Sequence, residues 1–400
     1  MELQEAHWEL HERFIRIVDL LGDHRSLVER EAAVYALSAL ADDCVSLGDS
    51  DLDRAHRLQQ ACLNLICAQL RDPLTGDDPT PELLVFKHRV QDLIVNRFRP
   101  RFLGGIADWS HLWLDLTYCH LHDLGFSLAT LSKPVNFSHA HFHGNTSFNE
   151  SEFHAPAVFT HARFNGLASV QRVQFHHTAR FTDAEFTALA VFNESQFDRD
   201  ASFDGVCVTG SAWFRAVTFD ADADFTAAQF WDTAHFQDSD FASYTTFSQA
   251  QFTSTARVEK CTFRDGVDFC DVFFGGSVSF NKSEFIDSVS FDDSFFTTSP
   301  LFRSAMFNEV QFHRTHFHCP VLFGPFQFTA TTDFSDAVFC SGFGLHPDQG
   351  SNMELTLEGT CFGYDEDTVL KELDNAIPSA LLKTATFDHH CDSPLQIRGR

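Results

Sequence analysis

The chain has 400 residues, with 28 Lys and Arg against 56 Asp and Glu, giving a formal charge of −28 at pH 7. Duplex binding is driven by cationic side chains displacing counterions, so this balance excludes direct nucleic-acid binding, and it opposes attraction to anionic membrane surfaces. Hydrophobic content of 44% is enough for a sizeable core, yet 46 Phe stand against 4 Tyr and 5 Trp, which implies one buried slot filled repeatedly by the same side chain.

No stretch approaches the ~18 uninterrupted apolar residues of a membrane span. Glu2, Glu5, Glu9, Glu12, Arg13 and Arg16 interrupt any signal-peptide core. The 11 cysteines are scattered from Cys44 to Cys391 without CxxC pairs, which reads as reduced thiols and a cytoplasmic protein rather than a disulfide framework.

Residues 1–100 read as a helical domain. Ser26 followed by Glu29 is a capping-box pattern, and Val28, Ala32, Tyr35, Ala36 and Ala39 then recur at helical spacing. A second helix follows the Gly48-Asp49-Ser50-Asp51 break, with Ala55, Leu58, Cys62 and Leu65 on one face. After a turn-rich linker from Pro73 to Pro81, Thr80-Pro81-Glu82 restarts a helix that runs toward Arg97 and stops at Pro100.

From residue 137 the pattern changes. Phe137, Phe142, Phe148, Phe153, Phe159 and Phe164 are separated by alternating steps of five and six, and the alternation continues through Phe302 with Val170, Val208 and Val258 in place of Phe. A second column, Ala157, Ala168, Ala179, Ala190, Ala201, Ala212, Ala223 and Ala234, repeats every eleven residues, each member two positions before a central Phe or Val. An eleven-residue period also suits a long helix. The Gly, Asp, Ser and Thr between the centres are poor helix formers, and a small residue at minus two with Phe at zero puts both on the inner face of a strand. Two five-steps and two six-steps then make a four-sided coil of 22 residues, with coils stacked at the ~4.8 Å strand spacing. Leu116, Leu121, Phe126 and Leu131 run at five-residue steps, a simpler first turn. Phe302, Phe307, Phe312 and Phe317 lack one corner residue, which predicts a local tightening or kink near Phe312. The pattern returns at Leu357 and Phe362, Asp365 to Ile377 reads as a short helix, and residues past Ala380 read as a loose tail. Solenoid ends expose unpaired strand groups, so the N-terminal helices are expected to cover one end and the last helix the other.

Phe137-Ser-His-Ala-His-Phe142 and Phe159-Thr-His-Ala-Arg-Phe164 resemble the repeating unit of the pentapeptide-repeat family. The alternating five-and-six, Phe-centred form is similar to a subgroup common in actinobacteria, and Val34-Tyr35-Ala36-Leu37 and Leu65-Ile66-Cys67-Ala68-Gln69-Leu70 resemble helical segments that precede its repeats. Many such relatives carry membrane-spanning helices there, and this segment has none. The resemblance implies an α+β chain: a helical N-terminal domain and cap over 1–100, a right-handed quadrilateral parallel β-helix over 114–362, and a C-terminal cap helix and tail over 363–400.

The sequence carries no Gly-rich phosphate loop, HExxH or nucleophile elbow, and no recurrent acid–base pair, so no catalytic residue and no cofactor is assigned. Histidine is abundant at 22 residues. His139, His141 and His143 alternate, while His154 with His176 and His139 with His161 lie one coil apart and should stack, as solvated polar ladders rather than a metal site. His313, His316 and His318 read the same way. The acids are more pointed. Asp198 with Asp220 and Asp200 with Asp222 are one coil apart, so these four form a candidate binding patch, with Asp224, Asp238 and Asp240 nearby and Arg163, Arg172, Arg180, Arg199 and Arg215 interrupting the negative surface. Two functions follow. One is a non-catalytic scaffold that displays a β-helical surface to a protein partner. The other, implied by the family resemblance, is a DNA mimic that docks on a type II topoisomerase such as DNA gyrase. A homodimer is left open.

Overall fold

The computed structural model describes residues 2–22, 24–44, 52–71, 80–100, 108–328, 331–347, 354–363 and 386–387. The chain divides into two compact units, Met1–Ala188 and Leu189–Arg400.

The first unit begins with four α-helices, α1 (Glu2–Val18), α2 (Leu27–Cys44), α3 (Leu52–Ala68) and α4 (Pro81–Phe98). Two of the expected starts are built as the sequence reads. Ser26 N donates to the Glu29 carboxylate at 2.9 Å while Glu29 N donates back to the Ser26 hydroxyl at 3.3 Å, and Leu83 N donates to the Thr80 hydroxyl at 3.3 Å. The face assigned to α2 is corrected. Val28 and Tyr35 are exposed, and Ala33, Val34, Leu37, Leu40, Ala41 and Cys44 are buried instead. The outward stripe is mostly alanine, which suits a helix on any face, whereas burial favours the side with the larger Leu side chains.

Beyond the helices the same unit winds into coils of very short parallel strands. Thr146–Ser147, Glu152–Phe153, Ala157–Val158 and Arg163–Phe164 succeed one another along one coil. Each pairs with the strand 22 residues further on: Thr146 with Ala168, Glu152 with Gln174, Ala157 with Ala179, and Arg163 with Glu185. The second unit repeats the scheme, pairing Gln196 with Thr218, Ala201 with Ala223, Cys207 with Gln229 and Ala212 with Ala234. The β-solenoid has about 11 turns in all.

The repeated Phe fills the interior because a ring stacked on its counterpart one coil away meets the strand spacing almost without adjustment. In the first unit Phe137, Phe159 and Phe181 lie 5.0 and 4.6 Å apart, near parallel. In the second, Phe225, Phe247 and Phe269 lie 4.8 and 4.9 Å apart, and Phe236 meets Phe247 edge-on at 89°. Offset parallel stacking along a column and edge-to-face contact between columns suit the ring quadrupole. The small residue at minus two also serves in a way its size alone does not show. Where it is serine, its buried hydroxyl reaches the preceding coil: Ser239 donates to Phe214 O at 2.6 Å and accepts from Val217 N at 3.1 Å. Where it is alanine, as at Ala228, the turn of the preceding coil closes directly, Val206 N donating to Phe203 O at 3.1 Å.

Five-residue steps turn through a left-handed residue two positions after the centre, except from Phe307 to Phe312, where Met306–Gln311 runs on as one strand. His139, His161 and Asp183 have φ of 56°, 55° and 53° in the first unit, and Asp271 and Lys282 have 56° and 62° in the second. This is the third position of a type II-like turn, usually given to glycine. Here the turn bond from Ala140 N to Phe137 O and the coil-to-coil bond from His139 N to Thr160 O hold a non-glycine residue in it.

The first coil has no preceding strand to pair with, and helix side chains occupy that edge. The Gln60 amide accepts from Trp113 N at 2.9 Å and donates to Trp113 O at 2.7 Å. Gln91 does the same to His122, at 2.7 and 2.8 Å. Arg71 donates to the carbonyls of Asp115 and Thr117, Arg99 to those of Gly125 and Ser127, and Leu70 O accepts from His120 N. A primary amide offers the donor and acceptor of a peptide group, so it satisfies an open edge as a strand would.

The missing corner residue is absorbed before Phe312. Phe285 pairs with Phe307 at a 22-residue offset, but Val289 pairs with Val310 at 21. The Phe columns continue through it, Phe291 to Phe312 at 5.0 Å and Phe296 to Phe317 at 5.0 Å, so the coil tightens at one corner without disturbing the core. The helix expected from Asp365 to Ile377 lies outside the described residues. The loose tail is corrected in part: Thr386–Phe387 forms a strand that pairs with Cys361–Phe362.

Candidate functional site

With the interior filled by rings that are 0–2% exposed, chemistry is left to the outer faces and the helix side. The acidic group lies in the second unit. Asp220 N donates to Phe197 O and Ala201 N donates to Asp222 O, so Asp220 stacks beyond Asp198 and Asp222 beyond Asp200, as the 22-residue offset requires. Asp200, Asp220 and Asp222 are exposed and Asp198 is half-buried. Neutral donors already engage two of them: Gln196 Nε2 lies 3.1 Å from Asp220, and Ser243 Oγ 2.5 Å from Asp222. Of the flanking acids, Asp224 accepts from Thr226 N at 2.9 Å and the other two are paired with cations. Asp240 takes a bidentate pair from Arg264 at 3.0 and 2.8 Å, and Asp238 faces Lys260 at 3.4 Å. In the first unit Glu150 pairs with Arg172 at 2.7 Å and Arg163 with Glu185 at 3.3 Å, again one coil apart.

Both expected histidine stacks lie on the first unit, whereas His313, His316 and His318 lie on the second. His139 and His161 stack at 4.8 Å, and His154 and His176 at 4.7 Å, both as the offset predicts. A third group escaped sequence reasoning. His120 and His122 lie on the first-coil strand and pair with His141 and His143. Ring centroids are 4.9 Å for His120–His141, 5.3 Å for His120–His143 and 4.6 Å for His122–His143, with His120 Nδ1 3.0 Å from His143 Nε2. His88 of α4 approaches His122 at 6.2 Å, and the neighbouring Lys87 is fully buried. Burial is the first cause that pushes His120 and His122 down to about 4, followed by Lys87 for His120 and by His143 and then Lys87 for His122. Burial also lowers His141 and His143. His122 Nε2 is buried without a hydrogen-bond partner. The cluster is therefore a set of stacked rings whose charged form is disfavoured by burial and by the neighbouring Lys87. The missed signal was an offset of 21 rather than 22, a consequence of the five-residue steps in the first turn.

A family model described as pentapeptide repeats (9 copies) matches residues 126–174 and 171–217. Over those residues the chain carries pentapeptide repeats. No curated protein and no solved structure matches it. Among the described residues, no helix is long and apolar enough to cross a membrane. Ten cysteines among the described residues are free thiols, and burial pushes Cys62, Cys119 and Cys261 up to about 12. Those three are core filler rather than nucleophiles.

Proposed function

We propose that this protein is a non-catalytic scaffold that presents the outer faces of its coils to a protein partner. The observation that carries this reading is the closed column core. Side chains 22 residues apart fill the interior of each unit, and the variable positions stand at fixed spacing outside. Rigid outward residues include Trp231 and Tyr244, 52% and 45% exposed in the second unit, and such aromatics commonly anchor protein interfaces. The free thiols support a reducing, cytoplasmic setting. Proximity labelling in cells, comparing the native chain with Trp231→Ser/Tyr244→Ser, tests it. A partner enriched by the native chain and lost from the variant is expected. An identical labelled set from both would remove this face from the proposal.

A second reading, docking on a type II topoisomerase as a DNA mimic, is favoured by the stacked Asp198–Asp220 and Asp200–Asp222 pairs. It predicts inhibition of gyrase supercoiling that weakens as salt rises and disappears when all four become Asn. Supercoiling unaffected by micromolar protein would reject it for that enzyme.

A further inference from the structure

Glu152 and His154 flank the inward Phe153, Glu152 within the strand Glu152–Phe153 and His154 directly after it, so the alternation puts both on the outer face. Glu152 pairs with Gln174 and Phe153 with Phe175, so the next coil brings His176 directly beyond His154. Backbone bonds from His154 N to Leu131 O and from His176 N to Phe153 O, both 2.9 Å, hold the two histidines in this register. Their rings stack at 4.7 Å with 17° between planes, and His154 Nε2 lies 3.2 Å from Glu152 Oε2. One ligand atom from each of the three residues lies within 4.8 Å of those of the other two. His154 and Glu152 are 42% and 48% exposed at the side chain, so solvent and ions reach them.

We propose that Glu152, His154 and His176 form a binding site for a divalent transition metal of the zinc class. Two imidazoles and a carboxylate are a donor set for zinc, and also for copper and nickel. Bonds of ~2.0–2.2 Å in a tetrahedral site place donor atoms about 3.4 Å apart. The present separations reach that value by small rotations of three partly exposed side chains, with no movement of the backbone. Protein atoms supply three positions and leave the fourth to water. The histidine cluster nearer the helices has a different character: it faces the buried Lys87, which disfavours positive charge on its rings, and of its first-coil imidazoles His122 is buried and His120 half-buried. The site needs no assumption about the protein's partner.

The test uses untagged full-length protein titrated with Zn2+ against a chromophoric chelator, and with Co2+ followed by its visible spectrum. One ion per chain is expected, with a cobalt spectrum that lacks thiolate charge transfer. His154→Ala, His176→Ala and Glu152→Gln should each weaken binding at least about tenfold, while His139→Ala, in the other stack, should leave it unchanged. All four positions are on the surface, and circular dichroism confirms that each variant is folded. Three results would overturn the assignment: no competition with the chelator, affinity in the three ligand variants equal to that of the native chain, or a thiolate band showing that the ion sits on cysteine.

Discussion

Acidification should loosen the junction between the helices and the first coil, through His120 and His122. In the folded chain both imidazoles are held near 4, against about 6.5 when exposed in the unfolded chain. Between those values the unfolded state binds more protons, so stability rises with pH there. The contribution is fully present above about pH 6.5 and is lost as pH falls toward 4. Each imidazole has a limiting slope of about 1.4 kcal/mol per pH unit. For His122, which is 8% exposed, the loss by pH 5 is about 2 kcal/mol relative to neutral pH. His120 loses less, because solvent screens the part of its ring that is exposed. The groups facing the pair are Lys87 and His88 from α4, and His141 and His143 from the next coil. None of these is an acid that would stabilise the imidazolium.

Urea denaturation at pH 7.5 and pH 5.0 measures the total loss, and hydrogen exchange of α4 and of the strand His120–His122 locates it. Carboxylates elsewhere also begin to titrate, so the comparison is with His120→Gln/His122→Gln. The variant should lose at least about 2 kcal/mol less than the native chain over the same pH interval. Equal losses in the two proteins, or unchanged protection at the junction, would refute the linkage.

Three further outcomes follow from the coil. Phe247→Ala removes a ring stacked between Phe225 and Phe269 and should cost about 3–5 kcal/mol in urea denaturation; a loss below about 1 kcal/mol would mean that the columns collapse around the gap. Ser239→Ala should cost less than about 1 kcal/mol, because Val217 N can close on Phe214 O as Val206 N closes on Phe203 O; a larger cost in the same assay would show that the hydroxyl bridge is not replaceable. Lys282→Gly should raise the denaturation midpoint by the equivalent of about 0.5–1 kcal/mol, since Lys282 is exposed at φ 62°; a lower midpoint would place unfolded-chain entropy above backbone strain.

The interior was legible because it obeys one steric rule at every turn. A slot that accepts a ring at the strand spacing selects Phe, and the five-and-six alternation follows from the two kinds of corner. Even the irregularity at Phe312 could be located, since losing one residue from a corner must change an offset somewhere, and it changes between Phe285–Phe307 and Val289–Val310. The left-handed corners were not legible. His139, Asp271 and Lys282 occupy a conformation in which glycine would be the usual signal, and the backbone bonds that impose it are not written in those residues. The face of α2 was misread because alanine spacing carries no information about burial.

Outer positions follow a looser logic, in which meaning resides in pairs one coil apart rather than in neighbours along the chain. Asp198 with Asp220 and His154 with His176 were readable once the period was known, because both pairs keep the regular 22-residue offset. His120 with His141 was not, because the shortened first turn changes the offset to 21. The role of Gln60 and Gln91 was hidden for a related reason: each acts as a substitute strand, and nothing around it in sequence distinguishes it from an ordinary helix-surface glutamine. Those amides and the stacked imidazoles occupy the same junction, where Gln91 holds both backbone groups of His122. Protonating His122 therefore places charge on the residue through which α4 completes the first coil. This makes the helix–coil junction, rather than the Phe columns, the part of the fold that acid should open first.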